Sequence, residues 1–308
     1  LNKNCRVYGF SRSNEPPKVL LKYKCNKNIR NFKFIKCDLN KNLALLMKFL
    51  KKNKIDYIVD FLGQGMVAES WNHPHRWYET NIVLKAKLYN FLSKNKKFKK
   101  YIRISTPEAV GNIRGFIFEN TKAYPSTPYG ISHLATDLTL LAYYKYNKFP
   151  FVISRFSNFF GPHQQLYRLI PKALYCIFNN KKLFLHGGGK SIRSFIYIDD
   201  FCEGIYKSMI NGRPGEIYNF TSREYVSIKW LVKKICLLTS MNFNKLVKIT
   251  KDRPTKDNVY KMVPTKAERE LNWKAKYTIK EGLEKTIKWY KKNKKMLSRL
   301  KNIYVYKQ

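Results

Sequence analysis

Three oxygen-bearing side chains crowd the end of one apolar run. The stretch Ile102-Arg-Ile-Ser-Thr-Pro-Glu108 reads as a buried strand that delivers Ser105, Thr106 and Glu108 at its carboxyl end. Farther on, Tyr129-Gly-Ile-Ser-His133 reads as the first turn of a helix. Its tyrosine and its cation-capable histidine stand four places apart, hence on one face. A hydroxyl, a carboxylate and a phenol converging at a strand end are the working parts of a proton- and hydride-transfer site. A tyrosine acting as general base needs its pKa brought down from ~10, and a neighbouring cation does this.

The elements that must position these groups follow from the pattern of the chain. Thr127 and Pro128 suit the N-cap and first position of a helix, which puts Tyr129 at its start. Short apolar runs at 5–10, 32–38, 55–62, 101–105 and 151–156 read as strands, and helical spacing marks 43–52, 81–92 and 129–146. Strands alternating with helices predict an α/β fold with a doubly wound, parallel Rossmann-type sheet. In such a sheet, ligands sit outside the carboxyl ends of the strands. After residue 160 the texture changes to short strands (183–186, 194–198, 217–220) among helices (170–178, 201–210, 228–238, 279–291). The expected division is a dinucleotide-binding domain over 1–160 and a smaller α+β substrate lobe over 161–308.

A dinucleotide fold begins with a strand and a glycine-rich turn whose backbone N–H groups approach the pyrophosphate. No such turn occurs, and Arg6–Phe10 reads as the second strand of such a unit. The first strand and glycine loop are therefore expected upstream of Leu1, and the absent initiator Met agrees. The alternative is a chain without a phosphate cradle. Ser11, Arg12 and Ser13 follow the first strand present, where no acidic residue is placed for a ribose hydroxyl. They suit a 2′-phosphate, which leans the cofactor from NAD toward NADP; a plain surface turn explains the same residues. Asp38 stands where it meets an adenine edge or caps the following turn.

Composition narrows the class. The six cysteines are scattered without a CxxC pair, which argues for free thiols in the cytoplasm and against a zinc site. No apolar run reaches the ~18 residues of a membrane span, and Leu1–Cys5 leads straight into a strand without a signal peptide. The formal charge of +41 raises nucleic-acid binding, but no binding motif accompanies the dispersed lysines. An AT-rich coding sequence that fills solvated positions with lysine accounts for them.

Six ordered motifs then carry a resemblance to the extended short-chain dehydrogenase/reductases that modify nucleotide sugars, nearest the dTDP-glucose 4,6-dehydratase group. Ser105-Thr-Pro-Glu-Ala-Val-Gly111 is similar to ST-x-E-x-YG, and Pro128-Tyr-Gly-Ile-Ser-His133 to PY-x-x-SK. Ser154–Pro162 resembles R-x-x-N-x-YGP, and Arg168-Leu-Ile-Pro171 resembles KLIP. Gly187–Asp200 resembles G-x-G-x-x-x-RSF-x-YV-x-D, and Arg253–Asp257 with Lys266–Trp273 resembles the family's tail.

The resemblance implies a role for each matched residue. Tyr129 takes the proton from the sugar O4 as C4 gives up hydride, Thr106 bonds that oxygen, and Glu108 abstracts the C5 proton so that the 6-hydroxyl leaves. The product is a 4-keto-6-deoxy sugar. Ser11, Arg12, Asp38, Leu39, Leu62, Gly63, Gln64, Asn81, Ser105, Tyr129 and His133 would line the cofactor, with Ser70 beside the pockets. Asn158, Arg168, Leu169, His186, Arg193 and Arg253 would hold the nucleotide sugar, arginine forks pairing with its diphosphate.

A homodimer through helices 81–92 and 129–146 is implied as well. The departures are His133 for the family lysine, Pro107 where some relatives carry an aspartate, and Val110 for a tyrosine. His133 is expected to be partly protonated at neutral pH. Epimerase or decarboxylase chemistry on the same fold is the alternative; Glu108 speaks against simple C4 epimerisation, which needs no C5 base. A catalytically impaired nucleotide-sugar-binding protein is the alternative of another class.

The charge reading has a direct check. The protein should bind oligonucleotides only weakly, and a salt titration should release them by about 0.15 M. Tight binding that survives that salt would restore the nucleic-acid reading.

Overall fold

The computed structural model describes residues 3, 5–252 and 258–304. Its centre is a four-stranded parallel sheet of β3 (Tyr57–Asp60), β4 (Lys100–Ser105), β5 (Phe151–Phe156) and β9 (Glu216–Phe220), in that order. β5 is buried throughout and β4 nearly so, as expected of parallel strands covered on both faces. β1 (Val7–Ser11) and β2 (Phe32–Lys36) form a separate parallel pair. Among the described residues, β1 pairs only with β2, and β3 only with β4. α1 (Leu43–Lys52) links the two sheets: Phe49 packs edge-on against Tyr8 and Phe10, and Leu43 and Leu46 also touch the core beside β4.

α2 (Pro74–Tyr78) runs through a π-helical turn, Glu79–Val83, into α3 (Leu84–Lys94). The predicted helix over 81–92 therefore begins inside a wider turn, of the kind often found at functional sites. α4 (Pro128–Asn147) starts where the sequence places it: the Thr127 hydroxyl accepts from the Gly130 N–H at 3.0 Å, with Pro128 in the first turn. It ends at Lys148, which adopts the left-handed conformation.

The C-terminal half carries β6 (Asn158–Phe160), α5 (Leu169–Phe178), β7 (Leu183–His186), β8 (Ile192–Tyr197) and α6 (Ile198–Asn211). After β9 come β10 (Tyr225–Ser227), α7 (Ile228–Leu238), α8 (Phe243–Leu246), β11 (Val247–Thr250), α9 (Thr265–Leu271) and α10 (Ile279–Leu297). A three-stranded sheet, β10-β8-β6, and a pair, β11-β7, lie here. Leu174, Ile177, Leu231, Ile235, Leu283 and Ile287 from α5, α7 and α10 form their shared core. One placement differs from expectation. The run 217–220, read as part of the lobe, is β9 of the central sheet, paired with β5 from Val152↔Glu216 to Phe156↔Phe220. Pairing across so long a sequence gap leaves no local signature. No helix among the described residues is long and apolar enough to cross a membrane.

Trp273, 1% exposed, fixes the tail to this sheet. Its indole N–H donates to the Asp200 carbonyl at 3.0 Å, and its ring meets Phe220 edge-on. Trp273→Ala should cost about 3–5 kcal/mol in denaturant unfolding. A loss below ~1 kcal/mol would show that the tail is not part of the cooperative core.

Candidate functional site

The carboxyl end of β4 turns into a single helical turn at Pro107–Ala109, and this turn packs on the start of α4. Gly130 permits the approach. A Cβ there would stand 2.5 Å from the Glu108 carbonyl oxygen, closer than any side chain tolerates. Three of the predicted catalytic side chains meet as a result. Thr106 donates its hydroxyl to Glu108 Oε2, and the Tyr129 phenol lies near enough to feel both groups. Burial and then the Glu108 carboxylate push the Tyr129 phenol above its ordinary range; Thr106, Arg103 and Arg168 pull the other way. At rest Tyr129 therefore holds its proton.

The expected cofactor wall is built around Asn81, which is fully buried. Its side-chain oxygen accepts from the Gln64 N–H at 2.7 Å, and its amide donates to the Gln64 carbonyl at 3.3 Å and to Ser132 Oγ at 2.9 Å. Gly63 fits because a Cβ there would lie 3.1 Å from Asn81 Oδ1. The Leu62 N–H is held by Asp60 at 2.9 Å. Arg12 donates to Gln64 Oε1 at 3.2 Å, joining the ends of β1 and β3. Ser11 accepts from the Ser13 N–H at 3.4 Å, and Asp38 from the Asn40 N–H at 3.1 Å, so both shape turns; Leu39 is buried beside Leu84. Ser70 Oγ accepts from the Tyr129 N–H at 3.2 Å, tying this wall to the phenol.

Beneath these groups lies a cluster that the sequence reading missed. Lys85 on α3 pairs with Asp60 of β3 at 2.8 Å, and both side chains are at most 3% exposed. Arg103 of β4 reaches Asp60 at 3.9 Å through its NH1 and Asp137 of α4 at 3.4 Å through its Nε. Ser105 donates to Asp137 at 2.5 Å, so its hydroxyl turns away from the crevice. Burial, with the Arg103 charge second, brings Lys85 down to about 8, so it stays protonated at neutral pH. Asp60 lies below the usual carboxylate range: burial raises it, but Lys85 and Arg103 together outweigh that.

His133 touches this cluster and differs from expectation. Its ring is 8% exposed, and its Nδ1 lies 2.9 Å from Arg103 NH2. Burial, then Arg103 and Lys85, hold it well below the ordinary histidine range, so it is neutral rather than partly protonated. The signal for the cluster was present: Arg103, Lys85 and Asp137 are charges at positions where the strand and helix patterns call for burial.

Of the predicted nucleotide-sugar residues, two line one cavity. Asn158 and Arg193 join Pro107, Ser157, Thr221 and Tyr260 around a cavity of about 10 Å³. Arg193 stacks over Tyr260 at 4.3 Å and donates to the Ile192 and Asn258 carbonyls. Arg168 is exposed at the N-cap of α5, which Leu169 begins. His186 is bonded to Thr250 at 3.0 Å. Arg253 lies outside the described residues.

A parallel sheet with a phenol, a threonine hydroxyl and a carboxylate at one strand end defines a short-chain dehydrogenase/reductase-type protein. The chain belongs to the family described as GDP-mannose 4,6 dehydratase, whose profile matches residues 1–286. It is 32% identical over 277 residues to human dTDP-D-glucose 4,6-dehydratase, covering 86% of this chain and 77% of that one. The crystal structure of dTDP-glucose 4,6-dehydratase from Bacillus anthracis in complex with NAD is similar with a TM-score of 0.82. It is 28% identical and the match covers 95% of this chain and 90% of that one. The Streptomyces venezuelae dTDP-glucose 4,6-dehydratase, also with NAD, gives 0.84 at 25% identity, covering 94% and 89%.

A dinucleotide would be held between two places: the edge where Arg12 meets Gln64, and the wall where Tyr129 stands by Thr106. The Gly130 contact gives a test of how closely α4 must approach Glu108. Gly130→Ala should keep a native circular dichroism spectrum and lose about 10²-fold in turnover, the usual cost of an ångström of misplacement. Unchanged turnover would mean that the contact is slack.

Proposed function

We propose that the protein converts a nucleotide diphosphate hexose to its 4-keto-6-deoxy form, with loss of water. The reading is carried by one observation: Glu108, Thr106 and Tyr129 meet at a single point. A phenol and a threonine suffice to oxidise C4; a carboxylate beside them is required only if C5 must also lose a proton.

A bound nicotinamide dinucleotide would accept hydride from C4 and later return it to C6. We propose NAD, because the solved relatives hold it and because Arg12 is engaged by Gln64. The chain's own residues do the rest. Thr106 orients O4, and Tyr129 Oη, once its own proton has passed to solvent, receives the O4 proton. Glu108 removes the C5 proton, acidic beside the new ketone. The proton Glu108 takes from C5 leaves with the 6-hydroxyl as water, and the O4 proton held by Tyr129 balances the one C5 regains as hydride reaches C6, so no second carboxyl is needed where Pro107 stands. Asn158, Arg168, Arg193 and Arg253 are proposed to hold the diphosphate. Homodimerisation through α3 and α4 is proposed as well: Ile131 and Leu138 lie two turns apart on α4, and both are exposed.

The protein, expressed with whatever its gene places before Leu1, should be incubated with NAD and a panel of nucleotide sugars. Mass spectrometry should show loss of water from one of them. Loss of carbon dioxide, or a changed isomer of equal mass, would overturn the reading. Glu108→Gln, which keeps the size and the Thr106 contact, should slow water loss by about 10²–10⁴-fold.

A further inference from the structure

We propose that Arg103 is a positioning residue that sets the working state of His133, and that the positive charge of the tyrosine pocket resides on Arg103. The inference rests on the reading of Tyr129 as the proton-transfer group.

The first step is hydrogen-bond chemistry. A guanidinium has only donors, five of them, and no acceptor. Arg103 NH2 stands 2.9 Å from His133 Nδ1, so that nitrogen must accept. The ring then carries one proton, on Nε2. An imidazolium would set two N–H groups against each other inside a dry pocket. His133 therefore cannot stand in for a lysine by carrying charge.

The second step is the fixity of the donor. The Arg103 side chain is 1% exposed and contacted on every arm. Its Nε faces Asp137 at 3.4 Å, its NH1 donates to the Ile104 carbonyl at 2.6 Å and faces Asp60 at 3.9 Å, and its NH2 meets His133. A planar fork so held cannot turn away, and lysine, a single point charge, could not make these contacts together. Lys85 takes up most of the Asp60 charge at 2.8 Å, so Asp137 is the main carboxylate opposite Arg103, while the NH2 arm keeps its donor on the ring.

The third step links the ring to the phenol. The His133 and Tyr129 rings lie 4.4 Å apart, centre to centre. Accepting from a cation at Nδ1 polarises the imidazole and strengthens Nε2–H as a donor to a hydroxyl or phenolate oxygen. Arg103 is also one of two cations that draw the Tyr129 phenol back toward a usable range; the other, Arg168, is exposed to solvent. The charge a lysine would place one turn after the tyrosine is thus moved one side chain deeper. The charged and titratable groups about the ring are Tyr129 and Asp137 from α4, Arg103 from β4, Lys85 from α3 and Asp60 from β3.

The test is nitrogen-15 NMR of the histidine side chains. The chain has five histidines, and His133→Gln assigns the signal of interest. The wild-type ring should be the Nε2–H tautomer and should stay neutral through the pH range in which an ordinary histidine gains its second ring proton. A ring that titrates near ~6.5, or one protonated at Nδ1, would overturn the proposal with no variant needed. Arg103→Met should release Nδ1, giving a mixed tautomer that titrates. Because it leaves Asp60 and Asp137 with Lys85 alone, its fold is checked by circular dichroism, and Arg103→Lys serves as the second variant.

With NAD and substrate, Arg103→Lys should fall at least tenfold in kcat with KM little changed. Its rate-against-pH limb for the tyrosine should shift upward; an unmoved limb counts against the proposal. The two readings fail separately. Water loss from an enzyme whose His133 titrates normally sinks this proposal alone. The expected tautomer in a protein that turns over no nucleotide sugar sinks the functional reading alone.

Discussion

Beneath the reactive side chains, two carboxylates and two cations share a volume with almost no solvent. Asp60, Lys85, Arg103 and Asp137 come from β3, α3, β4 and α4, each at most 3% exposed along its side chain. The site depends on this cluster, because it fastens β4, whose end leads to Thr106 and Glu108, to α4, which carries Tyr129 and His133. Burying an ion costs several kcal/mol, and pairing offsets that only when the partners are well placed. Two of each sign, with neutral His133 at the edge, leave no net charge. Removing one member would strand its partner at a cost of about 3–5 kcal/mol. Such a cluster fixes geometry more than it adds stability.

That geometry explains how a few small residues matter. Gly130 lets α4 come down onto the Glu108 turn, and Asn81 clamps the loop after β3 to Ser132 on the same helix. Both place Tyr129 from opposite sides, one through the carboxylate and one through the cofactor wall. Asn81 lies, buried, within the π-helical turn at Glu79–Val83. Electrostatics and packing therefore act on one target: the separation of a phenol, a hydroxyl and a carboxylate.

Much of this was legible in the residues. Thr127 and Pro128 announced the start of α4, the run 228–238 matched α7 to the residue, and the convergence of Thr106, Glu108 and Tyr129 followed from the strand-end rule. Other features were not. β9 looks like any short apolar strand, and only tertiary pairing assigns it to the central sheet. His133 read as a partial cation because its spacing from the tyrosine was visible while its donor was not. Arg103 sits in the strand that delivers the site, yet a lone arginine in an apolar run tells nothing of the two carboxylates, from other elements, that receive it. Charges at Lys85, Arg103 and Asp137 interrupt the local apolar pattern, but which of them meet across four elements is set only by the fold.

If one site oxidises C4, removes the C5 proton and reduces C6 without releasing hydride, the hydrogen that leaves C4 must reappear at C6. A nucleotide hexose labelled with deuterium at C4 tests it most directly. NMR and mass spectrometry of the product should find the label at C6 of a molecule that has lost water, undiluted by solvent. Label retained at C4, lost to solvent, or found in released cofactor would contradict the account.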